Sequence, residues 1–356
     1  RCVKMSDSKA QAGKMRGKQS VCFTNPPIVL GVSSVAGQKE GEGPLGAYFD
    51  VISEDPMFGG ETWEDAESKL LLQAAELAIQ NSGLKKTDIR YLVGGDLLGQ
   101  LIATSFGVES LDIPLLGVYG ACSTMGESIA IASMLVEGGY GDRILALTSS
   151  HFGGAEKQFR FPLAYGNQRP LAATWTVTGS GGVVIGKSDL QPKNWQGKTI
   201  RVKGLTIGKI VDYGIKDSMN MGACMAPSAA STIAQHFKDF NSKPEDYDKI
   251  ITGDLGLVGS NILIELLDNE GFDASKNHMD CGIEIYDTEV QDTHSGGSGC
   301  GCSAITLTGY VMKQLSQEKW KKVLFVPTGA LLSTVSFNEG QSVPGIAHAV
   351  VFEADC

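Results

Sequence analysis

Cys122 is the residue of this chain best placed to do chemistry. It lies in PLLGVYGACSTMGESIAIASMLVEGG, residues 114–139, where an apolar strand runs into a tight turn that opens a helix. Backbone N–H groups and the positive end of a helix dipole at such a turn favour a thiolate or a bound anion, and Gly120 keeps the approach free of a side chain. A nucleophile or an anion pocket is expected there; the competing reading is a small buried residue where strand and helix pack. His151, which closes RILALTSSH, is a second candidate, with the hydroxyls of Ser149 and Ser150 beside it. The segment after it carries Lys157, Arg160, Tyr165 and Arg169. Guanidinium groups fork onto carboxylates and planar side chains stack on aromatic rings, so this set suits a small aromatic dicarboxylate. For His151 the competing reading is a hydrogen-bonded structural residue.

The elements that hold these residues occur twice. Asp88, Gly95, Asp96 and Leu97 are echoed by Asp248, Gly253, Asp254 and Leu255, and Gly-Ala-Cys122-Ser by Cys-Gly-Cys302-Ser. The strand RILALTSSH is echoed by KVLFVPTGA, and GSGGVVIG from Gly179 by GIAHAVVFE from Gly345. Copies of about half the chain are too long for a solenoid repeat and read as a duplicated α/β unit whose halves pack together. Apolar strands alternate with amphipathic helices in each half, which predicts mostly parallel sheets covered by helices. The repeat equivalence of Asp96 and Asp254 suits caps of a turn or helix after each strand. Cys300 and Cys302 read as the pseudo-symmetric copy of the first turn, packed in the core, and Met-rich MNMGACMAP around Cys224 as lining for a central cleft or partner surface.

Composition narrows the class. With 356 residues, 42% apolar, 45 glycines and 7% aromatic residues, the chain can bury a large core without a disulfide or metal staple. A net charge of -10, without basic runs interleaved with aromatics, argues against nucleic acid as a partner. No apolar run approaches the ~18 to 20 residues that span a bilayer, and the N-terminus lacks a secretory pattern. A cytosolic protein with reduced thiols is expected from its 8 cysteines, and the spacing of Cys300 and Cys302 fits no zinc module. No metal or cofactor site is expected.

Residues 1–20 read as a flexible tail, with folded structure from about Val21. The first half then covers residues 21–186, a polar joint 187–198, and the second half 199–356. Residues 61–82, ETWEDAESKLLLQAAELAIQNS, have a helical apolar face, acidic residues in the first turn and a stop at Gly83. Residues 152–178 read as a long, functional loop.

Duplication, a Cys at a strand-to-helix turn in the first half and a glycine-rich closing strand together resemble the thiolase superfamily. The strings GDLLGQ, GACSTMGESIAIAS, EKQFRFPLAYGNQRP, TVTGSGG, DYGIKDSMNMGACMAP, ITGDLG, GGSGCGCSA and IAHAVVFE resemble one branch of it, the stage V sporulation protein AD family of endospore-forming Firmicutes, from Gly17 to Glu353. The resemblance implies a layered α-β-α-β-α thiolase-like fold. It also implies binding of dipicolinic acid, free or as its calcium chelate, in the uptake machinery of the developing spore. The implied partners are membrane proteins of the same operon, with peripheral association at the spore inner membrane through them or through a small basic patch such as KMRGK. A homodimer across an edge strand is a further implication.

Condensing enzymes of the superfamily pair the first-half Cys with a His after the second-half strand, and this chain has KIITGDLGLVGS there. Asp254 supplies neither a cationic partner for a thiolate nor a donor for an enolate, and as an ionised neighbour would raise the thiol pKa. The leading expectation is therefore ligand binding without turnover; the alternative is a Cys-dependent acyl-transfer or condensing enzyme, with His151 or His348 replacing the missing base. A structural adaptor without a pocket is a third reading, disfavoured by the binding-type residues after His151. The expected ligand contacts are Asp96, Cys122, Ser149, Ser150, His151, Arg160, Tyr165, Arg169 and His348. Asp96 suits a dianion only if protonated, cation-bridged or used to orient an Arg or His.

Overall fold

The computed structural model describes residues 14–159 and 168–355. The first half contributes β1 (Ile28–Gly37), β2 (Tyr91–Gly95), β3 (Leu115–Gly117), β4 (Arg143–Ser150) and β5 (Gly179–Gly186). The second contributes β6 (Ile200–Thr206), β7 (Lys249–Thr252), β8 (His278–Asp280), β9 (Lys322–Val326) and β10 (Ala349–Ala354). Their spatial order is β8-β7-β9-β10-β6-β1-β5-β4-β2-β3. Read outward from the β6/β1 join, the order within each half is the same, so the repeat seen in sequence is a repeat of topology. The join itself is one pairing, Arg201 with Ile28.

Each half is mixed rather than mostly parallel, which corrects the sequence expectation. β2 runs parallel to β3 and β4, and β7 to β8 and β9. The closing strands β5 and β10 run antiparallel to both neighbours. The glycine and β-branched residues of β5 and the small and β-branched residues of β10 are buried, a pattern that suits a central strand in either direction, so it carries no signal of orientation.

Helices α1 (Trp63–Asn81), α2 (Ile102–Val108), α3 (Thr124–Glu137) and α4 (Phe152–Phe159) belong to the first half, and α5 (Met221–Phe240), α6 (Gly256–Asn269) and α7 (Cys300–Ile305) to the second. α1 starts as its sequence requires, with Thr62 accepting from Asp65 N and Glu64 and Asp65 in the first turn. α1 covers the outer face of the first sheet and α5, with α6 against it, the second, while α3 and α7 lie between the sheets. α3 touches β2, β4 and β5 of its own half and β10 of the other, and α7 packs on β1, β4 and β5. The result is the five-layer α-β-α-β-α arrangement.

Two boundaries differ from the sequence reading. Ordered chain extends N-terminal to Val21: Met15–Arg16 pairs with Ser20–Cys22, which pairs in turn with β6. Asp239 of α5 accepts from Lys18 N, Gln19 N and Ser20 Oγ, and Lys14 of the KMRGK patch pairs with Glu137. These long-range partners were invisible in an aperiodic polar segment. The stretch 152–178 is likewise not all loop: it opens with α4 and contains the short strand Trp175–Thr176, which pairs with Gly297–Ser298.

Candidate functional site

Cys122 sits at the bottom of a cleft between the halves. Gly120 N donates to Thr124 Oγ1, Ser123 Oγ donates to Gly120 O, and Ala121 takes a left-handed φ of 49° to make the turn into α3. The apolar walls are Leu97, Ala155, Phe159, Met221 and Leu332; Cys122, Ser298, Thr176, Glu156 and Tyr119 add polar atoms. The cleft is narrow, with about 470 Å³ of empty volume when the open solvent at its mouth is included. A planar ligand therefore enters with movement of rim side chains such as Leu332 and Met221.

The floor is built by the second half. Ser298 Oγ lies 4.0 Å from Cys122 Sγ and donates to Asp254 Oδ2 at 2.7 Å. Gly299 N donates to the same oxygen at 3.0 Å, and Thr328 Oγ1 donates to Oδ1 at 2.7 Å. Gly299 makes this possible: its φ is 105°, and a Cβ there would lie 2.7 Å from Ser150 Oγ. Burial raises the Asp254 carboxyl to about 6 against the pull of these donors. Burial, and next the charge of Asp254, push the Cys122 thiol well above its ordinary range. Burial and the neighbouring carboxyl thus act against the thiolate that a helix terminus favours.

The remaining candidates from sequence scatter. Asp96 is buried with both oxygens used: Oδ1 accepts from Leu98 N, and Oδ2 from the backbone N and Oγ1 of Thr104. It is a local cap, as its position after β2 suggested, and does not line the cleft. Its repeat counterpart Asp254 is not a local cap, since its carboxylate accepts from distant segments; capping there falls to Asp280, which accepts from Leu255 N, Gly256 N and Gly282 N. Ser149 Oγ donates to Glu67 Oε1, and Ser150 Oγ donates to Val177 O while accepting from Gly301 N. His151 donates from Nε2 to Pro56 O at 2.7 Å and accepts Gly153 N at Nδ1, with its ring against Trp63. Burial lowers its pKa. The structural reading of His151 holds, because both ring nitrogens are occupied away from the thiol.

His348 accepts Gly208 N at Nδ1 and is held by burial at about 4; it is not part of the cleft wall. Arg169 is folded into the protein: Nη2 donates to Asp292 O and Oδ2, and the guanidinium lies 4.8 Å from the Trp175 ring. Arg160 and Tyr165 fall outside the described residues. Cys300 and Cys302 are buried in the core, as the repeat implied. From MNMGACMAP, Met221 reaches the cleft, whereas Cys224, in the first turn of α5, is buried with its thiol donating to Asp217 O.

Sequence reasoning missed Ser298, Glu156, Thr176 and Phe159 as cleft residues. A signal existed for Ser298: it precedes the Gly299–Cys302 turn, the repeat copy of the Cys122 turn. No cationic side chain lines the cleft among the described residues, and no cluster of His, Cys, Asp and Glu there could hold a metal ion.

The family follows from comparison. The family model of Stage V sporulation protein AD matches residues 17–353. The chain belongs to that family. Stage V sporulation protein AD of Bacillus subtilis (strain 168) is 45% identical over 340 residues, 96% of this chain and 98% of that protein. Solved structures similar to this member of the family include 3-oxoacyl-[acyl-carrier-protein] synthase III from Aquifex aeolicus VF5, at 11% identity and TM-score 0.52 over 92% of this chain and 99% of that one. The tetronic acid condensing enzyme AbyA1 matches at 14% and 0.57 over 92% and 99%. Cerulenin-bound OleA from Xanthomonas campestris matches at 16% and 0.56 over 92% and 97%. At such identities the likeness is one of fold, and it makes the fold of this stage V sporulation protein AD family member thiolase-like.

Proposed function

We propose that this protein is a ligand-binding component of dipicolinate uptake during sporulation, that it takes dipicolinic acid in the Cys122 cleft, and that it works without turnover. Membership of a sporulation family supports the setting. The observation that carries the absence of turnover is the Asp254–Ser298–Cys122 contact: the thiol faces a carboxyl instead of an imidazole, and His151 and His348 are committed elsewhere. A protonated thiol is a poor nucleophile for acyl transfer. A mostly apolar lining with a few polar atoms suits a small planar ligand once rim side chains have moved. Arg160, from the segment after α4, is the proposed cationic contact; calcium carried by the ligand is an alternative source of positive charge. Cys-dependent acyl transfer remains the competing chemistry, favoured only by the fold of the condensing enzymes.

Isothermal titration of the purified chain with dipicolinic acid, with and without calcium, tests this reading. Saturable heat with protection against thermal unfolding is expected. Neither signal at millimolar ligand rejects it.

Attachment to the membrane is proposed to run through protein partners at the spore inner membrane, since no helix of the described residues is long and apolar enough to cross a bilayer. A second copy is proposed to dock on β3. That edge strand exposes Leu115 and Leu116 (36% and 45%), whereas its repeat counterpart β8 has Met279 and Asp280 buried. An unguarded apolar edge favours strand pairing.

A further inference from the structure

The floor of the cleft contains an ionisable group that no cation faces among the described residues. Asp254 is fully buried, and Ser298 and Gly299, which both line the cleft, donate to its Oδ2. The titratable groups around it are thiols or acids: Cys122 before α3, Cys302 in α7, Cys281 with Asp280 at the end of β8, and Glu156 of α4 on the cleft wall. A ligand that brings carboxylates into the cleft therefore adds negative charge above a carboxyl that has no counter-ion among the described residues. In a desolvated site that charge is relieved most directly by protonation.

We propose that binding of a carboxylate ligand in this cleft is coupled to the uptake of one proton from solvent by Asp254. The inference rests on the ligand-binding reading above and adds that ligand and proton bind together. The Asp254 carboxylate takes the proton and becomes a carboxylic acid. It then donates to Ser298 Oγ, reversing the present hydrogen bond, and the Ser298 hydroxyl hydrogen turns to donate to the ligand. Ser298 is thereby a binding residue only when Asp254 is protonated. With the carboxyl at about 6 in the free protein, the proton is largely absent at neutral pH before the ligand arrives, and a nearby anion raises its affinity further.

The test is calorimetric titration of the full chain with pyridine-2,6-dicarboxylate plus EDTA, in buffers of different ionisation enthalpy. At pH 7 the wild type is expected to take up about 0.5 to 1 proton per ligand, falling towards zero near pH 5, where Asp254 is already protonated. Affinity should weaken by up to about ten-fold per pH unit above 6. Asp254→Asn, which places an amide donor where the acid proton would be, should bind with no uptake and with affinity independent of pH from 6 to 8. Binding by the wild type without uptake at pH 7, or uptake that persists in Asp254→Asn, overturns the proposal. If that variant does not fold, the wild-type buffer series with its acid limb near pH 6 decides alone. Absence of any binding rejects the ligand-binding reading itself.

Discussion

The thiol of Cys122 and the carboxyl of Asp254 share one hydroxyl group, that of Ser298: it lies 4.0 Å from the sulfur and 2.7 Å from the carboxylate oxygen. Burial first, and then the charge of Asp254, raise the pKa of the Cys122 thiol. The two residues come from opposite halves of the duplicated fold and meet only where the halves pack.

Cys122 is accordingly expected to be inert. Incubation with acyl-CoA thioesters should leave it unmodified by intact mass spectrometry, and alkylation by iodoacetamide at pH 7 should run at least roughly ten-fold slower than for a free thiol. An acyl adduct on Cys122 would restore the condensing-enzyme reading.

Substitutions at Cys122 should act through shape. A thiol is a weak donor, so Cys122→Ser is expected to change dipicolinate affinity by less than about five-fold. Cys122→Leu should obstruct the narrow cleft and abolish binding in a chain that still unfolds cooperatively. Loss of binding in Cys122→Ser alone would make the thiol a ligand contact.

The Asp254 carboxyl predicts a stability trend with a definite sign. Its native pKa lies above the ordinary 3.8, at about 6, so its ionisation opposes folding: the penalty is absent below 3.8 and fully present above 6. That difference corresponds to on the order of 3 kcal/mol. Buried histidines such as His348, held near 4, act oppositely, losing stability as pH falls. Comparison with Asp254→Asn isolates the carboxyl: the melting temperature of the wild type relative to this variant should fall as pH rises from 4 to 7. A constant gap across that range contradicts the placement of Asp254.

Arg169 is expected to be a stability residue. Its side chain is 2% exposed and joins the segment before Trp175 to Asp292, so Arg169→Ala should lower unfolding free energy by about 1 to 3 kcal/mol. Urea denaturation measures that, and titration of the folded fraction should show affinity within about three-fold of the wild type. A ten-fold loss of affinity at unchanged stability would return Arg169 to the ligand.

Leu116→Arg tests the open edge. Light scattering after size exclusion should show the wild type as a dimer and the variant as a monomer with an unchanged circular dichroism spectrum. A wild-type monomer at micromolar concentration disposes of the proposed contact.

By itself the sequence determined the duplication, the alternation of strands and helices, the Cys122 turn and the core role of Cys300 and Cys302. Each is carried by apolar periodicity or by short motifs whose spacing is set within one element. Family strings then specified the layered fold, because such strings encode packing already. The direction of β5 and β10 was not legible, since a buried strand has the same composition in either orientation. Nor was the divergence of Asp96 and Asp254. Their local contexts match, and only the tertiary fold of the second half brings the donors of Ser298, Gly299 and Thr328 onto Asp254, while Asp96 is left to its own turn. The commitments of His151, His348 and Arg169 are tertiary for the same reason: their partners Pro56, Gly208 and Asp292 are far away in sequence. A side chain's hydrogen-bonding capacity is visible in its type, but which partner saturates it depends on the position of the whole chain around it.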